Sequence, residues 1–563
     1  MKKPLLFTFF IVNAIAAYVA QNTVGLITYN PELAQDGYNI HFPHNQPHVY
    51  LLNNCGEIVN VWEGDADQRP GNTAYLTEDG NLIKTTRNAS VSGDAIWAGG
   101  GGATVEIRTW ENELLWSYTL NDTAARLHHD IAPMPNGNIL MLAWEKKTMQ
   151  EAVNAGRDPN NLPDGELWPE MILEIKPNLD DTIMNSYDLV WEWHVWDHMV
   201  QDLDSAKDNF GVVGDHPELI DINYDTHDGD ADWLHANSID YNTTYDQIMV
   251  SIPYFDELWI IDHSTTTQQA ASHTGGLVNA GGDLIYRWGN LLTYDAGDST
   301  DQKLFFQHDV HWVGSSFPTD PQDVGKLMVF NNRAGEDYST VNTLIPSFDT
   351  YEWEYPMTDG RWGPPSFDWT YQTTPPSNMY STGLSSAQRL ENGNTLICVG
   401  RDGYTFEITD SEEVVWVYEN PMNSGVIVSQ GDTVPYGGNL NFRVKRYPAD
   451  YVGFEGKDLS AQGFIENNPN EELCAELLSV KGVNVKEETV VLYPNPIHGA
   501  AVLVNSSVPI HNVQVYDLIG NQLRIDRNTQ GKNQIEFALT NIPNGVYTVV
   551  VNGTFSSKLV VNR

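Results

Sequence analysis

A short aromatic pattern that recurs along the chain constrains its fold more than any other feature. In each copy an apolar or acidic residue precedes an aromatic-x-aromatic triplet close to a polar or glycine turn. The copies are Leu115–Tyr118, Val190–Trp193, Ile285–Trp288, Glu352–Tyr355 and Val415–Tyr418, with a weaker one at Val59–Trp62. Because alternate residues of a strand point to the same face, this period of two predicts a β-strand at every copy.

A second pattern alternates with the first. It has a polar or histidine-bearing start, then an apolar stretch and a turn, and its copies begin at Asn72, His128, His235, Gln307 and Ser385. Several of the turns are Asn-Gly or Asp-Gly steps, which favour tight hairpins because these residues tolerate positive φ. Together the two patterns predict an all-β, six-bladed β-propeller, with one blade for each aromatic copy. A pair of β-sandwiches would explain the strands but not two patterns in register.

The charge balance excludes some partners. The chain has 30 basic and 75 acidic side chains, which give a formal net charge of −45. Nucleic acid is excluded as a partner, and so is an anionic membrane surface, because phosphate contacts need clustered Lys and Arg. An anionic substrate would need a local positive pocket that works against the overall field.

The first residues predict export. Lys2 and Lys3 precede an apolar run from Pro4 to Ala20, so residues 1–20 are predicted to be a secretory signal peptide. No later apolar run is long enough for a transmembrane segment. The three cysteines Cys55, Cys398 and Cys474 match no metal or redox spacing, and they predict buried thiols or at most one bridge.

The amino-acid composition changes after the predicted propeller, which covers residues 21–454. Residues 455–488 are polar and predict a linker, and residues 489–563 predict a small C-terminal β-sandwich. The last unit carries Tyr493–Pro496, Val515–Gly520, Gly545–Tyr547 and Lys558–Val561. These motifs closely resemble the type A C-terminal sorting domain of Bacteroidetes type IX secretion. The resemblance implies the type IX machinery as a partner, a secreted or cell-surface protein, and removal of this domain on arrival.

Three histidines start equivalent strands in the second pattern. In a propeller the first strand of each blade lines the central channel, so His129, His235 and His308 are expected to converge, with Ser385 or Ser386 at the same level. One interpretation is a metal site, since neutral imidazole is a common ligand. The other is transfer of an anionic group, in which one imidazole attacks while the others hold oxygens and protonate the leaving group. Spacing alone does not decide between them.

A set of ordered motifs resembles the bacterial arylsulfate sulfotransferases over roughly residues 24–450. The matching segments are His129 with Pro135–Asn138, Leu234–Asn242 with Asp246–Ser251, Tyr286–Asn290, Phe306–His308, Leu327–Asn332 and Ser385–Asn394. The resemblance implies a six-bladed propeller that moves a sulfuryl group from a phenolic sulfate ester to a phenol. In that family the reaction passes through a sulfohistidine and needs no nucleotide sulfate donor. It implies His308 as the nucleophile and His129 and His235 as assisting residues.

One departure from the family concerns substrate binding. The family has an Arg shortly after its His-x-Asn-Ser segment, whereas this chain has Val250–Tyr254 there. Arg287, Arg333 or Arg401 is expected to substitute, or His311, although an unbroken strand would point His308 and His311 to opposite faces. The predicted substrate-binding residues are Asn237, Arg287, Ser385 and Ser386. Two rivals stay open, a surface propeller that only binds sulfated or phenolic ligands and a metal-dependent lyase or hydrolase.

An acidic run extends from Asp221 to Asp232, and its first positions resemble a calcium loop. Asp221, Asn223 and Asp225 place oxygen ligands at alternate residues, but Thr226 stands where a calcium loop has its glycine. A solvated acidic loop is the favoured interpretation. The sequence therefore predicts no required cofactor, with Ca²⁺ at this loop as the alternative.

Overall fold

The computed structural model describes residues 22–179, 185–479, 490–493, 501–506, 509–517, 521–532, 534–538, 542–552 and 555–561. The predicted signal peptide, residues 1–20, lies outside the described residues. The chain forms two compact units, Met1–Cys474 and Ala475–Arg563. No helix in the described ranges combines the length and apolar character that a membrane span requires.

Six antiparallel sheets of four or five strands follow one another along the first unit. The N-terminal strand is β1 (Gly25–Tyr29), and the first sheet holds β2 (Gly37–Pro43), β3 (Val49–Asn53) and β4 (Ile58–Trp62). The second sheet holds β5 (Gln68–Leu76), β6 (Leu82–Asn88), β7 (Thr104–Arg108) and β8 (Leu114–Thr119). The third begins with β9 (Ala125–Pro133) and β10 (Ile139–Glu145), is interrupted by β11 (Lys147–Thr148), α1 (Met149–Asn154) and β12 (Glu166–Leu167), and ends with β13 (Glu170–Pro177) and β14 (Tyr187–His194).

The second half of this unit repeats the arrangement. A parallel pair, β15 (Met199–Val200) and β16 (Ile220–Asp221), precedes the fourth sheet, which holds β17 (Ser238–Asn242), β18 (Gln247–Ile252), β19 (Glu257–Asp262), α2 (Thr267–Ala270) as an insertion and β20 (Leu284–Trp288). The fifth sheet holds β21 (His308–Trp312), β22 (Leu327–Asn331), β23 (Thr340–Leu344), the hairpin β24 (Met357–Thr358) and β25 (Arg361–Trp362) as an insertion, and β26 (Trp369–Tyr371). The sixth holds β27 (Ser386–Arg389), β28 (Thr395–Val399), β29 (Tyr404–Ile408) and β30 (Val414–Glu419); β31 (Met422–Asn423), β32 (Val426–Ile427), β33 (Asn441–Pro448) and α3 (Glu472–Ser479) follow.

The first strands of the six sheets contact one another in a ring. The order is β33, β5, β9, β17, β21 and β27, and β27 contacts β33 again. Strands from the two ends of this unit pair with each other: β33 pairs with β2 in the first sheet, and β1 pairs with β30 in the sixth. Side chains at the starts of these strands are therefore brought to a common centre.

The aromatic pattern links each sheet to its neighbour. The indole N–H groups of five outer-strand tryptophans donate to backbone carbonyls of the adjacent sheet at 2.7–2.9 Å: Trp62, Trp116, Trp193, Trp288 and Trp416. A buried indole needs such an acceptor, so the motif specifies sheet packing as well as strand formation.

One copy of the aromatic pattern is not a strand. Trp353 lies in a turn with a φ of 55°, and β26, which contains Trp369 and Tyr371, is the outer strand of that sheet. The prediction of a strand at Glu352–Tyr355 is therefore corrected. The positive φ explains the difference, since it is incompatible with extended backbone.

The first part of the predicted linker packs on the first sheet instead of connecting freely. The Ile58 N–H donates to the Gly463 carbonyl at 2.7 Å, and the Gln462 N–H donates back to Ile58 at 2.8 Å. A disulfide joins Cys55 to Cys474, whereas Cys398 is a buried free thiol. Residues 455–474 thus belong to the first unit, while residues 480–488 of the predicted linker lie outside the described residues.

The described residues of the C-terminal unit form two antiparallel four-stranded sheets. One has the strands β34 (Val490–Tyr493), β35 (Ala501–Ser506), β38 (Asp526–Gly531) and β39 (Gln534–Ala538). The other has β36 (Val513–Tyr516), β37 (Gln522–Leu523), β40 (Gly545–Val551) and β41 (Phe555–Val561). Side chains of both sheets, among them Val504, Phe537, Val515 and Leu559, share one buried apolar cluster.

Candidate functional site

The structure brings together the three histidines that the sequence singled out. The rings of His129 and His235 meet edge to face with their centroids 4.6 Å apart. The ring of Phe442, on β33, has its centroid 6.1 Å from those of His129 and His308. All three imidazoles are buried, with at most 8 % of any of the residues exposed.

One type of hydrogen bond recurs between neighbouring first strands and aligns the starts of these strands at the same height in the ring. On four first strands a side chain accepts from a backbone N–H of the next first strand, at 2.9–3.3 Å: Asp130 from Ile239, Ser238 from Val310, Asp309 from Ala387, and Ser386 from Val444. Each acceptor directly follows His129, Asn237, His308 or Ser385. These bonds therefore place the four preceding residues at one level of the ring.

His308 presents a neutral imidazole with a defined tautomer. Its Nδ1 lies 2.8 Å from Asn332 Oδ1. An amide oxygen only accepts hydrogen bonds, so Nδ1 is protonated and donates to it. Its Nε2 then carries the lone pair, and it accepts the Leu384 backbone N–H at 3.0 Å. Burial and the nearby charge of His235 lower the pKa of His308 to about 3, against the effect of the Asn332 hydrogen bond. A neutral ring with a free-base Nε2 has the form required of a nucleophile.

His235 has the opposite protonation preference. Its Nδ1 lies 2.5 Å from Asp232 Oδ2. Burial alone would lower the pKa of His235, but the charge and hydrogen bond of the Asp232 carboxylate raise it above the usual value. Tyr254, from the stretch that lacks the family Arg, stacks on this imidazole at 4.6 Å. This environment favours the imidazolium form of His235, the form that donates a proton.

A chain of buried groups sets the tautomer of His129. Glu170 Oε2 lies 2.7 Å from His128 Nε2, and His128 Nδ1 lies 2.9 Å from His129 Nδ1. Burial raises the pKa of Glu170 well above its usual range and lowers that of both histidines, so all three groups are neutral. Glu170 Oε1 accepts the Ala236 N–H at 2.7 Å, which leaves the carboxyl proton on Oε2 to donate to His128. His128 in turn donates to His129, whose Nε2–H remains as a donor.

A glycine permits the position of His129. A Cβ at Gly100 would lie 1.8 Å from His129 Nε2, and Gly100 itself has a φ of 78°. The Gly100 carbonyl accepts the His129 backbone N–H at 2.8 Å. His129 and His235 both have positive φ, 45° and 58°, and such strained backbone is concentrated at functional sites.

A cavity of about 490 Å³ opens beside His235. Its walls include the rings of Trp97, Trp168 and Tyr254. Its polar lining is acidic and consists of Asp164, Glu166, Asp230 and Asp232. Gly99 connects this cavity to the histidines, because a Cβ built there would lie 3.8 Å from His235 Cε1. Its size and aromatic walls suit a phenyl ring, whereas its carboxylates disfavour an anion.

Of the expected substitutes for the family Arg, Arg333 contacts a ring that lies beside the histidines. Its exposed guanidinium stacks 3.7 Å from the centroid of Phe306. The Phe306 ring in turn lies 5.9 Å from that of His308 and 6.3 Å from that of His235.

Arg443, which the sequence patterns do not single out, is buried beside Phe442, but Asp130 and Asp309 pair with it at 2.8 Å.

Arg287 is not brought to the histidines, which corrects the expectation that it binds substrate. Its fully buried guanidinium pairs with Glu257 at 2.6 Å and bonds to Thr293 and the Leu219 carbonyl. A buried guanidinium needs such a set of acceptors; here Glu257 lies on β19, Thr293 follows β20 and Leu219 precedes β16. Arg287 therefore stabilises the sheet.

The other predicted binding residues contact backbone. Ser385 Oγ accepts the Gly400 N–H at 2.9 Å, and Ser386 Oγ accepts the Val444 N–H at 3.3 Å. Asn237 Nδ2 donates to the Gln307 carbonyl at 2.7 Å, so this amide fixes the residue that precedes His308. The structure thus shows these side chains supporting the site, and substrate contact by them stays a prediction.

His311 is close to the centre in spite of its odd spacing from His308. The pairing of β21 with β22 shifts register between His308 and His311, and Asp309 has a φ of 55°. The strand is therefore bulged, so the expectation for an unbroken strand does not apply. His311 lies beside Asp309, and Lys445 contributes with burial to lowering its pKa to about 4.

The acidic loop uses its oxygens internally. Asp225 pairs with the buried Arg157 and accepts the His227 N–H at 2.8 Å. Asp221 accepts the Asn223 N–H at 2.8 Å, and Asn223 Oδ1 accepts the Asp158 N–H at 2.7 Å. These bonds fix the loop around Arg157, and Ca²⁺ binding at the loop stays a prediction.

Comparisons with known proteins agree with the motifs. The family model described as Arylsulfotransferase (ASST) matches residues 111–423, over half of the chain, and that of the Secretion system C-terminal sorting domain matches residues 491–562. No curated protein matches the sequence.

Similar solved structures have low identity. One is a protein of unknown function from Bacteroides caccae, with 10 % identity, a TM-score of 0.38 and coverage of 74 % of this chain and 99 % of that one. Another is apo AztD from Citrobacter koseri, with 10 % identity, a TM-score of 0.30 and coverage of 73 % and 99 %. A third is virginiamycin B lyase from Staphylococcus aureus, with 10 % identity, a TM-score of 0.29 and coverage of 69 % and 89 %. Similarity at this level says nothing of the activity of this chain.

Proposed function

Because the chain belongs to the arylsulfotransferase (ASST) family, we propose that it transfers a sulfuryl group from an aryl sulfate ester to a phenol through a sulfohistidine at His308. The observation that supports this most is the presence in one buried cluster of His308, whose Nδ1 donates to Asn332, and of His235, whose Nδ1 is bonded to the Asp232 carboxylate. We also propose that the six sheets are the blades of a propeller. Export then follows from the signal peptide and the C-terminal sorting domain.

In the first half-reaction His308 Nε2 attacks the sulfur. The N–S bond forms as the S–O bond to the aryl group breaks, through a loose transition state like that of phosphoryl transfer. The leaving phenolate takes a proton from His235, which becomes neutral. The approaching sulfur displaces the hydrogen bond that the Leu384 N–H donates to Nε2. Nδ1–H keeps its hydrogen bond to Asn332 Oδ1, which stabilises the positive charge on the sulfurylated ring.

In the second half-reaction an acceptor phenol enters from the cavity. Neutral His235 removes its proton, the phenol oxygen attacks the sulfur, and the N–S bond to His308 breaks. His308 is again neutral and His235 is again an imidazolium, so one site performs both steps. The His129 N–H donates to a sulfuryl oxygen throughout, and Trp97, Trp168 and Tyr254 hold the phenyl ring.

The proposal is tested by release of 4-nitrophenol from 4-nitrophenyl sulfate by chelator-treated protein, with and without added phenol. We expect turnover that depends on phenol, survives chelation and yields phenyl sulfate. Turnover that chelation abolishes would support the metal-dependent rival. Donor binding without turnover with any phenol would contradict the proposal in favour of the binding rival.

Arg333 is expected to bind the donor sulfate. Replacing it in Arg333→Gln removes the exposed guanidinium beside Phe306, so we expect KM for the donor to rise about tenfold, the effect of one charge-assisted hydrogen bond. Steady-state kinetics with varied donor measure this change. Arg361→Gln, which removes another partly exposed guanidinium near Asp301, is the matched control. An unchanged KM for the donor in Arg333→Gln would contradict sulfate binding by Arg333.

A further inference from the structure

We propose that His198, His273 and Asp283 bind Zn²⁺ or a similar divalent transition-metal ion, at a site apart from the catalytic histidines. One atom from each side chain can face a common point, since three ligand atoms lie within 4.8 Å of one another. Asp283 Oδ1 lies 2.7 Å from His198 Nδ1 and 2.8 Å from His273 Nδ1. The proposal does not depend on the sulfuryl transfer.

The hydrogen bonds of His198 indicate a cation between the ring and the carboxylate. His198 Nε2 lies 2.7 Å from the Ala270 carbonyl, which only accepts, so Nε2 carries a proton. A neutral imidazole has one N–H, which leaves a lone pair on Nδ1. That lone pair faces the Asp283 oxygen at 2.7 Å, an arrangement that repels unless a proton lies between the two atoms or a metal ion binds both of them.

The surroundings of His198 favour the metal ion. Metal-binding histidines usually donate their other N–H to a backbone carbonyl or carboxylate, as His198 donates to Ala270. Trp193 stacks on the ring with an interplanar angle of 6°, which further fixes its orientation. A second imidazole nitrogen, His273 Nδ1, lies 2.8 Å from the same carboxylate oxygen, so two imidazoles and one carboxylate are grouped as metal ligands are.

The donor set matches zinc. Two imidazole nitrogens and one carboxylate oxygen are three of the four ligands of a tetrahedral Zn²⁺, and water can supply the fourth. His198 and Asp283 are buried, whereas the His273 side chain is 62 % exposed, so the site faces solvent on one side. Oxygen-seeking ions such as Ca²⁺ are disfavoured by the two nitrogens.

The position of the three residues indicates what the ion does. His198 follows the third sheet just after β14, His273 lies in the connection between α2 and β20, and Asp283 precedes β20. A bound ion would therefore tie the long connection of the fourth sheet to the end of the third sheet. We expect this site to stabilise the fold, because ligand binding to the native state alone adds to its stability.

The test uses the full chain freed of metal by a chelator and then titrated with Zn²⁺ in excess Ca²⁺, which occupies the acidic surface. We expect calorimetry to show one zinc ion per chain and thermal unfolding to show a higher Tm with zinc. His273→Gln should weaken binding at least about tenfold and abolish the Tm increase. His216→Gln, which changes a comparably exposed histidine beside Glu218, is the matched control and should match the wild type.

Cobalt gives an independent readout. Co²⁺ in place of zinc should produce the visible absorption of a tetrahedral site in the wild type and in His216→Gln, but not in His273→Gln. Absence of stoichiometric zinc binding, or equal binding by wild type and His273→Gln, would overturn the proposal. His198 would then be an imidazolium paired with Asp283.

Discussion

His308→Ala is expected to lower the rate of phenol-dependent 4-nitrophenol release by about 10⁴-fold or more, because removal of a covalent nucleophile leaves only binding and electrostatic effects. The neutral ring, the proton fixed on Nδ1 by Asn332 and the lone pair on Nε2 all point to this residue. Rates measured with saturating donor and phenol give the comparison. A loss of less than about tenfold would contradict the assignment of His308 as nucleophile.

Two controls separate catalysis from folding in this variant. His308 is buried and hydrogen-bonded, so its loss is expected to cost about 1–3 kcal/mol of stability, which thermal unfolding measures. Added imidazole should restore part of the activity by occupying the space left by the ring. His216→Ala changes a half-exposed histidine outside the cluster and should keep wild-type rates.

Asp232→Asn is expected to change the pH dependence of the reaction. The Asp232 carboxylate raises the pKa of His235 against the effect of burial, so its removal leaves burial to lower that pKa. The first half-reaction needs His235 protonated, and its rate therefore falls as the pH rises through the pKa of His235. In the variant this fall should move to lower pH by about one unit or more.

The leaving group provides a second readout for Asp232→Asn. Phenol has a pKa of about 10, like tyrosine, so phenyl sulfate needs a proton donor more than 4-nitrophenyl sulfate, whose phenol is more acidic. We expect a loss of about 10²-fold with phenyl sulfate at pH 8 and a smaller one with 4-nitrophenyl sulfate. Asp228→Asn, at an exposed position with a φ of 55° that Asn tolerates, is the matched control. Equal losses with both donors and an unshifted pH profile would contradict proton donation by His235.

Local patterns in the sequence predicted the histidine cluster. His129 and His308 lie in the first strands β9 and β21, and His235 lies just before β17, so the repeat alone indicated that they would meet. The tryptophans of the aromatic pattern likewise mark outer strands, except at Trp353, where a positive φ interrupts the alternation. Period-two patterns reveal strands because successive residues of a strand point to opposite faces of the sheet.

Long-range partners could not be predicted in the same way. Glu170 reaches His128 from β13, and Asn332, which directly follows β22, reaches His308; one sequence offers no signal for such pairs. Asp232 lies three residues before His235, but it also ends the acidic run that the sequence predicts to be a solvated loop. Arg287 was expected at the site because it is a cation in a family motif, whereas its burial against Glu257 depends on the packed sheet.

The central claim, that His308 carries the sulfuryl group, is tested most directly by mass spectrometry after the donor is added without an acceptor. The protein is mixed with 4-nitrophenyl sulfate, quenched under mildly alkaline conditions and digested. The account predicts one added sulfuryl group on the peptide that contains His308, its loss when phenol is added before the quench, and its absence in His308→Ala. Phenol-dependent turnover with no modified peptide, or with the group on another residue, would contradict it.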